Sequence, residues 1–67
     1  MNITLNNRPE NFKVDNLTIS ELLAIKNFTF RMLVIKVNGK LVKKKEYANA
    51  KVLDGDVVQI LHMISGG

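Results

Sequence analysis

Apolar residues in this chain recur at every second position near both ends, and at helical spacing only once, between Ile19 and Lys26. With 67 residues, such a pattern allows one sheet and one helix, each burying its apolar face against the other. Ile3 and Leu5 alternate with Asn2, Thr4 and Asn6, which predicts a half-buried opening strand. Asn6-Asn7-Arg8-Pro9 is a cluster of turn formers, after which Glu10 to Val14 is expected to return as a second strand with Phe12 and Val14 inward. Asp15-Asn16 breaks that strand. Thr18-x-x-Glu21 then has the spacing of a capping box, so a helix is expected from Ile19, with Ile19, Leu22, Leu23 and Lys26 along one stripe.

Beyond the helix, 27–31 reads as a connection whose Phe28 and Phe30 cover the helix end. Lys36 between Ile35 and Val37 sets the phase of the next strand: Leu33, Ile35 and Val37 face inward, Val34 and Lys36 outward. Asn38 and Gly39 both tolerate positive φ and predict a hairpin turn, with Lys40-Leu41-Val42 returning as a short strand. Lys43 to Ala50 is a polar excursion anchored by Tyr47, and Leu53-Asp54-Gly55-Asp56 makes another turn before Val57 to Ile64, the longest β-prone run. The predicted order is strand, strand, helix, strand, short strand, strand. Long first and last strands on either side of a crossover helix suit a mixed sheet whose two chain ends pair in parallel beneath that helix. This is an α+β roll of the β-grasp, or ubiquitin-like, type, with four to five strands on one helix. Residues 1–64 would form the domain and 65–67 a flexible tail.

Composition excludes several functions. Cysteine is absent, which removes disulfides, thiolate nucleophiles and sulfur-ligated zinc, and a lone histidine, His62, cannot make a metal cluster. A domain this small has no room for a deep catalytic cavity, so it is a poor candidate for a self-sufficient enzyme. The N-terminal residues lack the basic and apolar segments of a signal peptide, and no apolar run reaches the ~20 residues of a bilayer span. A cytoplasmic location is expected, without a membrane partner. The net charge of +4 is concentrated in Lys43-Lys44-Lys45, flanked by Lys40 and Lys51. No rings interleave with that run, so it reads as a solvated turn, and no nucleic-acid partner is expected. Asp54-Gly55-Asp56 lacks the spaced oxygen ligands of a calcium loop and is explained by a tight turn.

Strand phase also nominates a surface. Val57, Gln59, Leu61 and Met63 share one face of the last strand, and Val58, Ile60, His62 and Ile64 share the other. Gln59 would be costly in a core, so Val58 and Ile60 are assigned inward, and Val57, Leu61 and Met63 outward beside Val34. The result is an apolar docking patch for partners on the open face of the sheet. His62 is expected to be a packed or rim residue.

The sequence ends in Gly66-Gly67 after Ser65. Without Cβ atoms these glycines can enter a narrow channel in a partner and present a carboxylate there. Together with Val37-Asn38-Gly39-Lys40-Leu41-Val42, Glu46-Tyr47-Ala48, Leu53-Asp54-Gly55-Asp56-Val57-Val58 and the helix start Leu17-Thr18-Ile19-Ser20-Glu21-Leu22-Leu23, this tail resembles the ThiS family, sulfur carriers of thiamine biosynthesis. The resemblance spans the whole chain. Departures are Lys43, where family members often carry proline, and the basic run that it begins.

The resemblance implies that Gly67 carries sulfur as a thiocarboxylate, with Gly66 and Ser65 as the delivery tail. It also implies an E1-like, ThiF-like adenylating partner that uses ATP and Mg²⁺, a sulfur donor protein, and a ThiG-like thiazole synthase. The chain itself would bind no cofactor and would be a substrate of enzymes. Two other readings stay open at this level. A molybdopterin-type carrier or protein modifier shares the tail but uses another acceptor. A nucleic-acid-binding module of the TGS type shares the β-grasp pattern but needs no terminal Gly-Gly, so salt-dependent RNA binding that survives loss of Gly66-Gly67 would mark it.

Overall fold

The structure, a computed structural model, describes residues 1–28 and 32–62. The opening hairpin is set by Asn6 and Asn7, whose φ values of 50° and 67° make a two-residue turn with the twist that antiparallel strands favour. That turn joins β1 (Asn2–Leu5) to β2 (Arg8–Asn11), with Leu5 opposite Arg8 and Asn2 opposite Asn11. The second strand therefore begins earlier than expected and contains Pro9. A proline is tolerated there because β2 is an edge strand. Phe12 packs against the core as expected, but Val14 does not: it lies past the strand end and is 45% exposed.

Asn16 does not end a strand; it begins one. β3 (Asn16–Thr18) pairs antiparallel with β6 (Lys51–Leu53) in a separate two-stranded sheet, so Leu53 belongs to a strand rather than to the following turn. Leu17 and Val52 stand opposite each other in this small sheet and are both buried. Runs of three residues are too short to show alternation, which is why both strands escape a reading based on periodicity.

Helix α1 (Ile19–Ile25) starts where Thr18 and Glu21 place it. Thr18 Oγ1 accepts from the Glu21 N–H at 3.1 Å, and Glu21 Oε1 accepts from the Thr18 N–H at 2.9 Å. The latter bond, with the Thr18 hydroxyl second, holds the Glu21 carboxyl below its ordinary pKa. Two more free donors of the first turn are satisfied by the 47–50 loop: Ile19 N–H donates to the Ala50 carbonyl and Ser20 N–H to that of Tyr47. Asn27, at φ 58°, ends the helix. Its N–H donates to the Ala24 carbonyl while the Phe28 N–H donates to Leu23, a Schellman arrangement that brings Phe28 onto the core. Lys26, the last position of the expected apolar stripe, is half-buried along its stem and reaches Glu10 of β2 at 3.1 Å.

The five-stranded sheet runs β2-β1-β7-β4-β5. β4 (Leu33–Val37) and β5 (Lys40–Val42) form a hairpin around Asn38-Gly39, whose φ values are 52° and 82°. A 3₁₀ turn (Lys44–Glu46) leads to β6, and β7 (Val57–His62) returns through the centre of the large sheet. β7 pairs antiparallel with β4 and parallel with β1, as the two-ended pattern predicted. Ile3, Leu5, Ile35, Val58 and Ile60 from the sheet meet Ile19 and Leu22 of α1 in one buried cluster. This is the β-grasp arrangement.

Candidate functional site

β7 is built to hold one face inward and one outward. Val58 and Ile60 are 0% and 3% exposed, whereas Val57 and Leu61 are 44% and 54% exposed on the open side. The cross-strand register places Val34 directly opposite Leu61, and Lys36 opposite both Gln59 on β7 and Leu41 on β5. Leu61, Val34 and Leu41 therefore lie on one face across three neighbouring strands, with Leu41 diagonal to Val34. Val57 stands two positions before Gln59, beside Thr4 of β1. The structure thus brings Val34 and Leu61 together, sets Val57 apart from them, and adds Leu41. Counting the phase of Lys36 across the Asn38-Gly39 turn reveals Leu41 in the sequence as well. Met63, Ser65, Gly66 and Gly67 lie outside the described residues, as does Phe30. The 64/65 domain boundary does too.

The start and the middle of β7 are pinned by side chains rather than by ladder bonds alone. Asp56 Oδ2 accepts from the Leu53 N–H at 2.9 Å and its Oδ1 from Asn38 Nδ2 at 3.0 Å, while Asn38 Oδ1 accepts from the Val57 N–H at 2.9 Å. Asp54 Oδ1 accepts from the Asn2 N–H at 2.7 Å, and the Gly55 N–H donates to the Asn2 carbonyl at 2.7 Å. Both carboxylates of Asp54-Gly55-Asp56 thus accept backbone N–H groups, and that of Asp56 also the Asn38 amide, which fits a structural turn joining β1, the β4–β5 turn and β7. Gly55 adopts φ 88°, a conformation that other residues avoid.

Asn6 performs a similar task further along. β1 ends at Leu5, yet the Asn6 amide continues its ladder: Oδ1 accepts from the Ile60 N–H at 2.8 Å and Nδ2 donates to the Ile60 carbonyl at 3.1 Å. The side chain stands in for one more peptide unit beside β7. Asn6→Gly keeps the positive φ and deletes this pair, so it is expected to cost about 1–3 kcal/mol in urea unfolding and to speed amide exchange at Ile60. Unchanged exchange at Ile60 would show that β7 does not need the Asn6 amide. Near the strand end, His62 is exposed and its ring lies 5.9 Å from that of Phe28, a rim position as expected.

β7 thus lies at the centre of the sheet with one face buried and one open, and the sequence after it ends in Gly66-Gly67. Residues 3–67 match the sequence model of the ThiS family. The chain belongs to the ThiS family. Its relatives within ThiS include the sulfur carrier protein ThiS of Bacillus subtilis (strain 168), 29% identical over 65 residues that span 97% of this chain and 98% of that protein. The crystal structure of a thiamine biosynthesis protein (ThiS) from Geobacter metallireducens superposes with a TM-score of 0.88 at 30% identity, covering 100% of both chains. An NMR solution structure of a thiamine biosynthesis protein from the same organism gives a TM-score of 0.76 at 30% identity, over 100% of this chain and 88% of that one. ThiS membership and the β-grasp fold thus agree with what the sequence patterns implied.

Proposed function

We propose that this chain is a sulfur carrier of thiamine biosynthesis, loaded as a thiocarboxylate on Gly67 and delivered to a partner that forms the thiazole ring. The observation that carries this reading is the family match, which runs through residue 67 and so includes the Gly66-Gly67 terminus. The chemistry follows from the terminus itself. A carboxylate resists acyl transfer because oxide is a poor leaving group. Attack of the Gly67 carboxylate on the α-phosphorus of ATP releases pyrophosphate and makes AMP the leaving group. A persulfide sulfur can then displace AMP, and a thiol that cleaves the resulting acyl disulfide leaves the thiocarboxylate here and a disulfide on the donor. Phosphate binding, Mg²⁺ and the persulfide belong to partners, an E1-like adenylating enzyme and a sulfur donor protein. This chain supplies the reacting terminus and the surface that positions it. Because it has no cysteine, no thiol of its own can attack the activated Gly67.

Adenylation is tested by ATP–pyrophosphate exchange with the cognate adenylating enzyme. Exchange that depends on this chain supports the proposal; exchange indifferent to it contradicts it. The partner surface is the open-face patch, where Leu61, on the last strand before the tail, stands opposite Val34 of β4. Leu61→Glu places a charge on an exposed position and should leave thermal unfolding unchanged while weakening the adenylating partner by about 1–3 kcal/mol. Unfolding of that variant would instead mean that Leu61 faces the core.

A further inference from the structure

We propose that the β5 edge of the sheet carries a groove that binds an acidic polypeptide segment, one that presents an apolar side chain between carboxylates. A concavity of about 430 Å³ lies between the start of β4, strand β5 and the 3₁₀ turn. Met32, Leu33, Leu41 and Tyr47 give it apolar walls, and Lys43 and Lys44 stand at its rim. Leu41 and Met32 are 58% and 56% exposed, so two large apolar side chains face water at a site that could enclose a third. Among the described residues, β5 is also an edge of the sheet, with β4 as its one neighbour.

Charge decides the occupant. Lys40, Lys43, Lys44 and Lys45 are all exposed, and none forms an ion pair among the described residues. Glu46, the one carboxylate in this stretch, accepts from the Lys43 N–H at 2.9 Å and is turned to the backbone. Asp54 accepts from the Asn2 N–H, Asp56 from the Leu53 N–H and the Asn38 amide, and Glu10, on the opposite edge strand β2, pairs with Lys26 at the helix end. Four like charges within six residues favour carboxylates brought by another chain. Nucleic acid fits less well because the walls are aliphatic apart from the single ring of Tyr47, which gives no platform for successive bases. A membrane fits less well because these apolar side chains line a concavity. The groove shares Val34 and Leu41 with the open-face patch.

The test is amide NMR of the full chain, titrated with a panel of short peptides in which one Leu or Phe is flanked by Asp and Glu. At least one peptide is expected to shift the amides of Met32, Leu41, Lys43, Lys44 and Tyr47 together. Its affinity should fall with added salt and drop by about tenfold or more in the Lys43→Glu/Lys44→Glu variant, whose spectrum elsewhere stays unchanged. Peptides in which the Leu or Phe is replaced by Ser should bind at least about tenfold more weakly. The proposal is overturned if no peptide shifts this edge, or if the Ser peptides bind as well as the others. It is also overturned if an RNA oligonucleotide or an anionic vesicle shifts these amides more strongly than any peptide.

Discussion

Deletion of Gly67 is expected to lower adenylation by at least about 100-fold while leaving the fold and its unfolding midpoint unchanged. The shortened chain still ends in a carboxylate, that of Gly66, and still carries the apolar open face proposed for docking. What it loses is reach: one residue spans about 3.5 Å, and a misplacement of about 1 Å at a reacting atom is enough to cost two orders of magnitude in rate. The fold should not respond, because the buried cluster draws on residues from Ile3 to Ile60. Measuring pyrophosphate exchange and urea unfolding on the same sample separates the two effects. Equal exchange by the shortened chain would mean that the reacting group is not the Gly67 carboxylate.

The second large effect is on stability. Leu22→Ala is expected to cost about 2–5 kcal/mol, because Leu22 is fully buried at the point where α1 meets the sheet. The seven-residue helix cannot hold itself together in isolation, so its stability comes from packing and from the Thr18–Glu21 cap. A domain of 67 residues has about 3–10 kcal/mol in total, which makes this loss a large share of it. Urea unfolding reads the difference directly. A loss under about 1 kcal/mol would mean that α1 does not seat Leu22 in the core.

How much of this was legible in the sequence depended on the physical cause of each feature. Ile3 and Leu5, Ile35, and Val58 and Ile60 follow a strict period of two, so their burial and the phase of β7 could be read directly. Thr18 and Glu21 fixed the helix start because capping needs those side chains at that spacing. β3 and β6 were not legible, since three-residue strands carry no period and their pairing joins positions about 35 residues apart along the chain. Val14 falls outside the second strand because the Asn6-Asn7 turn, only two residues long, sets that strand nearer the N-terminus. Asn6 itself looked like a turn residue and no more. Its role beside Ile60 depends on the parallel neighbour that β7 becomes only after folding. On the open face of the sheet, Val34 and Leu61 are legible from phase, and Leu41 needs the register across the Asn38-Gly39 hairpin.

The carrier account is tested most directly by the intact mass of this chain after incubation with its adenylating enzyme, ATP, Mg²⁺ and a sulfur donor. Replacement of one terminal oxygen by sulfur predicts a gain of about 16 Da, located on Gly67 by fragmentation and absent when ATP is withheld. An unchanged mass with an enzyme shown to be active, or a gain located on any other residue, would contradict it.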